Sequence, residues 1–341
     1  MRLCGRGLYH NLVIFSFIFV TLPTDMFTFK LPFSIGKHHE EKTSAPTFAE
    51  FFDRAEMILP ELSQRHRPAT IKNYNTALGS LRLFCAKAEA INLPITIKHL
   101  QLYEKWLRMR GTSPNTSSCY IRSLRSLFFT IYPKADKELF RHLFTGNMRT
   151  MKRALDPESV KQLIACQPPH TSSLRLWHDV FLFSVYALGM PFVDVAYLRW
   201  SDVSNGFINY RRHKTDQHIS VPITPEMKKI MDYYRSRTHD NLIFPILRSY
   251  DCPYHTYQHR LSQYNFAIKR IKRRAKLSQN LTSYVARHTW ATLANTAGVS
   301  LSHISQAMGN TNINTTQIYL NHISDDDILN DSLTVANLIK T

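Results

Sequence analysis

The chain has no paired cysteine motif, no glycine-rich phosphate loop, no internal repeat and no apolar run of bilayer length. Its five cysteines (Cys4, Cys85, Cys119, Cys166 and Cys252) are scattered, odd in number and never spaced CxxC. This argues against a disulfide framework or a zinc site and suits a reducing cytoplasm, so no metal is expected. Without a Gly-rich loop opening a helix, nucleotide hydrolysis has no support. Acidic residues are also scarce, with 25 Asp+Glu against 43 Lys+Arg and a formal net charge of +18. Hydrophobic content is an ordinary 44%, so the basic surplus decorates folded surfaces. A polyanion is the expected partner, with nucleic acid ahead of an acidic membrane or an acidic protein.

At 341 residues the chain has room for two domains with cores of their own. Residues 1–45 stand apart as an N-terminal extension. Arg2 and Arg6 precede a short apolar run within residues 12–22, which is brief for a membrane span. A secretory signal, an anchor and an upstream start codon preceding a true start at Met26 are all compatible with it. The charge and the unpaired cysteines favour the last, with residues 1–40 poorly ordered. From Thr47 the pattern is helical. Thr47-Phe-Ala-Glu50 reads as a capping box, further helices follow Pro68 and span Leu100 to Met109, and a fourth opens at Ser113-Pro114. Residues 46–134 thus form a small helical domain with basic residues between its apolar stripes, and residues 135–157, carrying Arg149, Lys152 and Arg153, form a linker. Residues 158–324 form the second domain. It holds an apolar helix over Trp177 to Leu188, a short strand after Asp202, and a hairpin over Tyr210 to Val221 with its turn at Thr215 to Gln217. A basic helix spans Phe266 to Lys276, and its charges fall nearly all round. The fold class is mainly α (α+β): a small helical domain, then a mixed, mostly helical domain with a small antiparallel sheet.

The stretch from Thr282 to Leu320 organises the rest. One helix runs through Ala286 and Trp290 to Gly298, a second is capped by Ser300 and stopped by Gly309, and a third is capped by Asn314. An arginine (Arg287) and a tyrosine (Tyr319) on neighbouring packed helices suit phosphoryl chemistry, one clamping a phosphate and the other attacking it.

ARHTWAT followed by TTQIYL, together with SPNTSSCYIRSLRSLF upstream, resembles the tyrosine recombinases, the phage-integrase type of site-specific DNA recombinase. GMPF, YRRHKT and SYVARH look like the branch found in Bacteroides-type bacteria. The resemblance implies DNA cleavage and rejoining through a 3′-phosphotyrosyl link, with no cofactor. Tyr319 would be the nucleophile, Arg287 the phosphate clamp and Lys214 the general acid. Residues 46–134 would be the core-binding (SAM-like) domain and residues 158–324 the catalytic domain. Lys72, Arg122, Arg125 and Arg211 would contact DNA. Implied partners are double-stranded DNA, a homo-tetramer on synapsed DNA and accessory DNA-bending proteins. The tail at 325–341 reads as an amphipathic helix that either packs on its own domain or, as in this family, docks on a neighbouring subunit.

Three positions depart from the family pattern. Pro191 stands where the first arginine is usual, and Tyr284 and Asn310 stand at two histidine positions. Tyr284 and Asn310 can hydrogen-bond a phosphate oxygen but carry no charge. Strand alternation puts Arg212 on the same face as Lys214, making Arg212 the candidate substitute cation and Arg211, on the opposite face, its control. A recombinase-like DNA-binding protein with impaired cleavage is the alternative reading. His213, His288, His303 and His322 are expected to be structural. Asp194 is expected to support neighbouring groups, and Trp177, Trp200 and Trp290 to be core residues.

Overall fold

In a computed structural model of the chain, the structure describes residues 45–148 and 154–310. The N-terminal extension up to residue 44, Arg149, Lys152 and Arg153, the helix capped by Asn314, Tyr319 and the tail at 325–341 lie outside the described residues. The chain divides into two compact units, Met1–Met148 and Arg149–Thr341.

In the first unit, local capping chemistry sets the helix starts. The Thr47 hydroxyl accepts from the Glu50 amide at 3.2 Å, while the Thr47 amide donates to the Glu50 carboxylate at 2.7 Å. This capping box opens α1 (Phe48–Arg65). Pro68, whose fixed φ suits a first helical turn, opens α2 (Pro68–Lys87). Helix α3 (Ile97–Met109) begins before the expected Leu100, because Thr96 accepts from the His99 amide and caps it. Ser113 caps α4 (Pro114–Ile131). Apolar stripes from all four helices meet in one core that includes Phe51, Leu81, Tyr103, Leu124 and Phe128. Lys72 and Arg125 lie on the exposed surface. The Arg122 guanidinium reaches its own helix at the Ser118 carbonyl (3.4 Å) and Asn147 Oδ1 (3.5 Å).

The second unit is built around α6 (Leu174–Tyr186), following α5 (Pro157–Ala165). Every residue of α6 from Trp177 to Val185 is buried, as expected of a helix that neighbours cover on all sides. A polar knot sits within that apolar surround. Asp179 accepts from Arg175 Nε at 2.7 Å, the Tyr234 hydroxyl at 2.9 Å and His178 Nδ1 at 3.2 Å. Tyr234 ends α8 (Pro225–Tyr234), so the knot ties α6 to α8.

Between them come α7 (Phe192–Ala196) and an antiparallel sheet in the order β1 (Val203–Ser204), β2 (Phe207–Arg211), β3 (His218–Pro222). The β2–β3 ladder closes at Arg211↔His218, so the turn comes earlier than Thr215 to Gln217. Asp216 donates its amide to the Arg212 carbonyl at 2.8 Å, and Lys214 lies on the turn itself. Strand alternation therefore does not reach Lys214. The basic helix is also longer than expected: α9 (Tyr254–Arg274) starts well before Phe266, and its exposed cationic half is only its C-terminal part. Helices α10 (Val285–Thr296) and α11 (Leu301–Ala307) follow. Trp177 is buried, but Trp200 and Trp290 are only partly so, and Trp200 lies under the Arg235 guanidinium at 3.8 Å.

The Asp179 knot makes a stability prediction. Burial pushes the Asp179 carboxyl up, but hydrogen bonds from His178, Arg175 and Tyr234 outweigh it and hold the group below the ordinary range. Asp179→Ala leaves those donors stranded and should destabilise the protein by roughly 3–5 kcal/mol in a denaturant titration at neutral pH. A depressed folded-state value stabilises above the unfolded value of about 4, and that stability is lost as pH falls through the folded value. The gap between wild type and Asp179→Ala should therefore narrow in acid.

Candidate active site

Four segments converge on two buried arginines. Arg287 sits in the first turn of α10 and is 2% exposed. Thr289, two residues on, accepts from the Leu155 amide at 3.0 Å and pins that helix to the start of the unit. Beyond the end of α6 the backbone reverses through Leu188 (φ 57°) and Gly189 (φ 70°). The reversal aims the Gly189 carbonyl at Arg287 Nη1, 3.1 Å away. A Cβ at Gly189 would stand 2.8 Å from the Arg287 Cα, so both the positive φ and the close approach call for glycine.

The second set of acceptors comes from the end of α11. Ser300 caps its start, accepting from the His303 amide, and the helix closes at Met308 with Gly309 at φ 60°. Carbonyls at a helix C-terminus lack intrahelical partners and carry partial negative charge. Here they meet cations. Arg287 Nη2 donates to the Met308 carbonyl at 2.6 Å and to Asn310 Oδ1 at 3.1 Å. Arg212 donates through Nη1 to the Gly309 carbonyl and, at 3.3 Å, to the same Asn310 Oδ1. Arg212 is 5% exposed, and its guanidinium holds its proton less tightly than usual because of burial and the neighbouring Arg287 charge.

Asp194, on α7 just after Pro191, brings a carboxylate to the pair. Its Oδ2 lies 4.0 Å from Arg212 Nε, and its Oδ1 accepts from the His213 amide at 2.9 Å and faces His213 Nδ1 at 3.2 Å. His213 also packs against the Tyr197 ring, with centroids 4.8 Å apart.

The structure thus brings together Arg212, Arg287 and Asn310. Tyr284 stands at the N-cap of α10, 45% exposed, with its ring edge-on to His288 at 5.1 Å. Lys214 is exposed on the hairpin turn. Arg211 is exposed and reaches the Asp216 carbonyl at 3.3 Å and carboxylate at 3.5 Å. The sequence reading missed the carbonyls of Gly189, Met308 and Gly309 and the His213–Asp194 contact. The two glycines at helix ends were the available signal for the carbonyls, since a positive φ there turns a carbonyl off the helix axis. Among the described residues, the arrangement sets two buried guanidiniums amid backbone carbonyls, one carboxamide oxygen and the Asp194 carboxylate.

The pattern of the phage integrase family matches residues 153–325, and that of the phage integrase SAM-like domain matches residues 50–130. The chain belongs to the phage integrase family, the tyrosine recombinases. Among curated proteins it is 23% identical over 259 residues to the tyrosine recombinase XerD of Listeria innocua, covering 73% of this chain and 86% of the relative. It is 28% identical over 221 residues to the tyrosine recombinase XerA of Thermococcus kodakarensis, covering 62% and 73%. Among solved structures, a lambda integrase tetramer bound to a Holliday junction superposes with a TM-score of 0.63 at 16% identity, covering 82% of this chain and 78% of that one. The Tn1549 transposon integrase in complex with transposon right end DNA gives a TM-score of 0.62 at 14% identity, covering 85% and 100%. These structural likenesses establish a shared fold.

Gly189→Ala should be disproportionately costly for a one-carbon change. It forces a non-glycine residue into the left-handed region against the Arg287 backbone, which costs on the order of 1–3 kcal/mol. A thermal melt of the variant should show this loss, and a melt matching wild type would mean the turn does not constrain Arg287.

Proposed function

We propose that this protein is a site-specific DNA recombinase, of the integrase or invertase type, that cuts and rejoins duplex DNA through a 3′-phosphotyrosyl intermediate. The observation that carries this reading is the buried Arg212–Arg287 pair, held within one hydrogen-bonded shell and fed by carbonyls from a helix end. A phosphodiester gains negative charge at its non-bridging oxygens as an attacking hydroxyl approaches. Fixed cations in a water-poor site stabilise that charge without reorganising. Arg287 and Arg212 are assigned as the clamp, with Arg212 supplying the cation that Pro191 does not. Tyr319 is assigned as the nucleophile and Lys214 as the acid that protonates the departing 5′-oxygen. Tyr284, at the mouth of α10, supplies a neutral donor. The bond energy stays in the phosphotyrosyl link, so rejoining needs no nucleotide. Lys72, Arg122, Arg125 and Arg211 are assigned to the DNA backbone. The partners are duplex DNA and three further copies of the chain around synapsed sites, as in the solved lambda integrase tetramer on its Holliday junction.

A suicide substrate nicked beside the scissile phosphate tests the reading, because an active recombinase stays covalently trapped on it. Tyr319→Phe should bind the DNA and form no adduct, and an adduct formed by that variant would mean that another residue attacks. Arg212→Ala should lose cleavage by about two to three orders of magnitude, as removal of a fixed transition-state donor does, while Arg211→Ala should act mainly on binding. Lys214→Ala should be rescued by a 5′-thio leaving group, which departs without a proton, whereas Arg212→Ala should not be. Binding should weaken steeply with salt, since each neutralised phosphate releases counterions. A flat titration would contradict a DNA role for the +18 charge.

A further inference from the structure

The atom at the meeting point of the two guanidiniums is Oδ1 of Asn310, 3.1 Å from Arg287 Nη2 and 3.3 Å from Arg212 Nη1. Guanidinium nitrogens only donate, so the amide must face them with its oxygen rather than its nitrogen. Among the described residues, the pair also donates to the backbone carbonyls of Gly189, Met308 and Gly309, fixed by a turn and a helix end. Asn310 differs from them in being a side chain that can rotate away. A non-bridging phosphate oxygen needs the same place: an acceptor point reached by two guanidiniums.

We propose that Asn310 is a placeholder whose carboxamide oxygen occupies the oxyanion position between Arg212 and Arg287 in the DNA-free protein and is displaced there by the scissile phosphate. This rests on the reading of the pair as a phosphate clamp and assigns Asn310 to compete with the phosphate rather than donate to it. The chemistry favours such a device. Two buried like charges repel, and a neutral acceptor holds them together while the site waits. Both acceptors receive charge-assisted hydrogen bonds from the guanidiniums, but an anionic oxygen adds full charge–charge attraction in a buried site, so it displaces a carboxamide. A carboxylate at the same position would form ion pairs and not yield.

Inorganic sulfate is the probe, titrated against the full chain and read as a rise in melting temperature fitted to a dissociation constant. The signal that survives in an Arg212→Ala/Arg287→Ala double variant is subtracted as binding elsewhere on a basic surface. Removing the competitor with Asn310→Ala should tighten the clamp's sulfate affinity on the order of fivefold, the worth of about one net hydrogen bond. Asn310→Asp, nearly isosteric, should abolish the clamp-specific shift and serves if the alanine variant does not fold. Weaker or unchanged sulfate binding by Asn310→Ala, or a retained shift in Asn310→Asp, overturns the placeholder. A double arginine variant that binds sulfate like wild type would instead refute the clamp reading beneath it.

Discussion

Confining two guanidiniums to one water-poor pocket is the constraint on which the second unit depends. Burying two like charges costs several kcal/mol per ion unless partners surround them. The Asp194 carboxylate, 4.0 Å from Arg212 Nε, carries one negative charge against the two positive ones. The remainder comes from carbonyls, and the fold is arranged to deliver them. The turn after α6 supplies one at Gly189, and the end of α11 supplies those of Met308 and Gly309. The centrality of α6, buried on every side, follows from the same need. A turn that leaves no room for a Cβ against the Arg287 backbone is best grown from an element packed on all sides.

Much of this architecture is legible in the sequence wherever local chemistry decides the outcome. Thr47 with Glu50, Ser113 before Pro114, and Ser300 after Gly298 each satisfy backbone amides within a few residues, so their helices start where their side chains say. The boundaries read less well where an apolar stripe is the main marker of a start. Helix α3 begins at its Thr96 cap rather than at its first buried leucine, and α9 extends N-terminally through polar residues that no single face announces. The hairpin is the instructive case. Alternation is valid only while the ladder continues, and the ladder ends at Arg211. Arg212 lies just past it and is buried by contacts to a segment nearly a hundred positions away, a distance over which local pattern carries no information.

Two of the three departures from the family pattern, Pro191 and Asn310, fall in segments that border the arginine pair. Pro191 cannot extend a charged side chain, but its extended backbone opens α7 and places Asp194 against the residues after β2. Asp194 then fixes the His213 amide and faces Arg212, so the carboxylate stands beside the arginine that does reach the pocket. Asn310 completes the change by meeting both guanidiniums with a neutral oxygen, where an imidazolium would add a third positive charge. On the proposed reading, in which Arg212 supplies the cation that Pro191 does not, the proline, the arginine and the asparagine are mutually consistent, although each alone reads as a defect.

The net charge of +18 divides physically into two kinds of cation. Surface residues such as Lys72, Arg125 and Arg211 are solvated, and their interactions are individually weak and screened by salt. They suit attraction to a polyanion at many points, where the sum matters and no single residue decides. Arg212 and Arg287 have already lost their water, and their donors go instead to carbonyls of the fold and to Asn310. Attraction without chemistry needs only the first kind, and chemistry without attraction would need only the second. This chain carries both, with the buried pair confined to the unit whose helix ends can hold it.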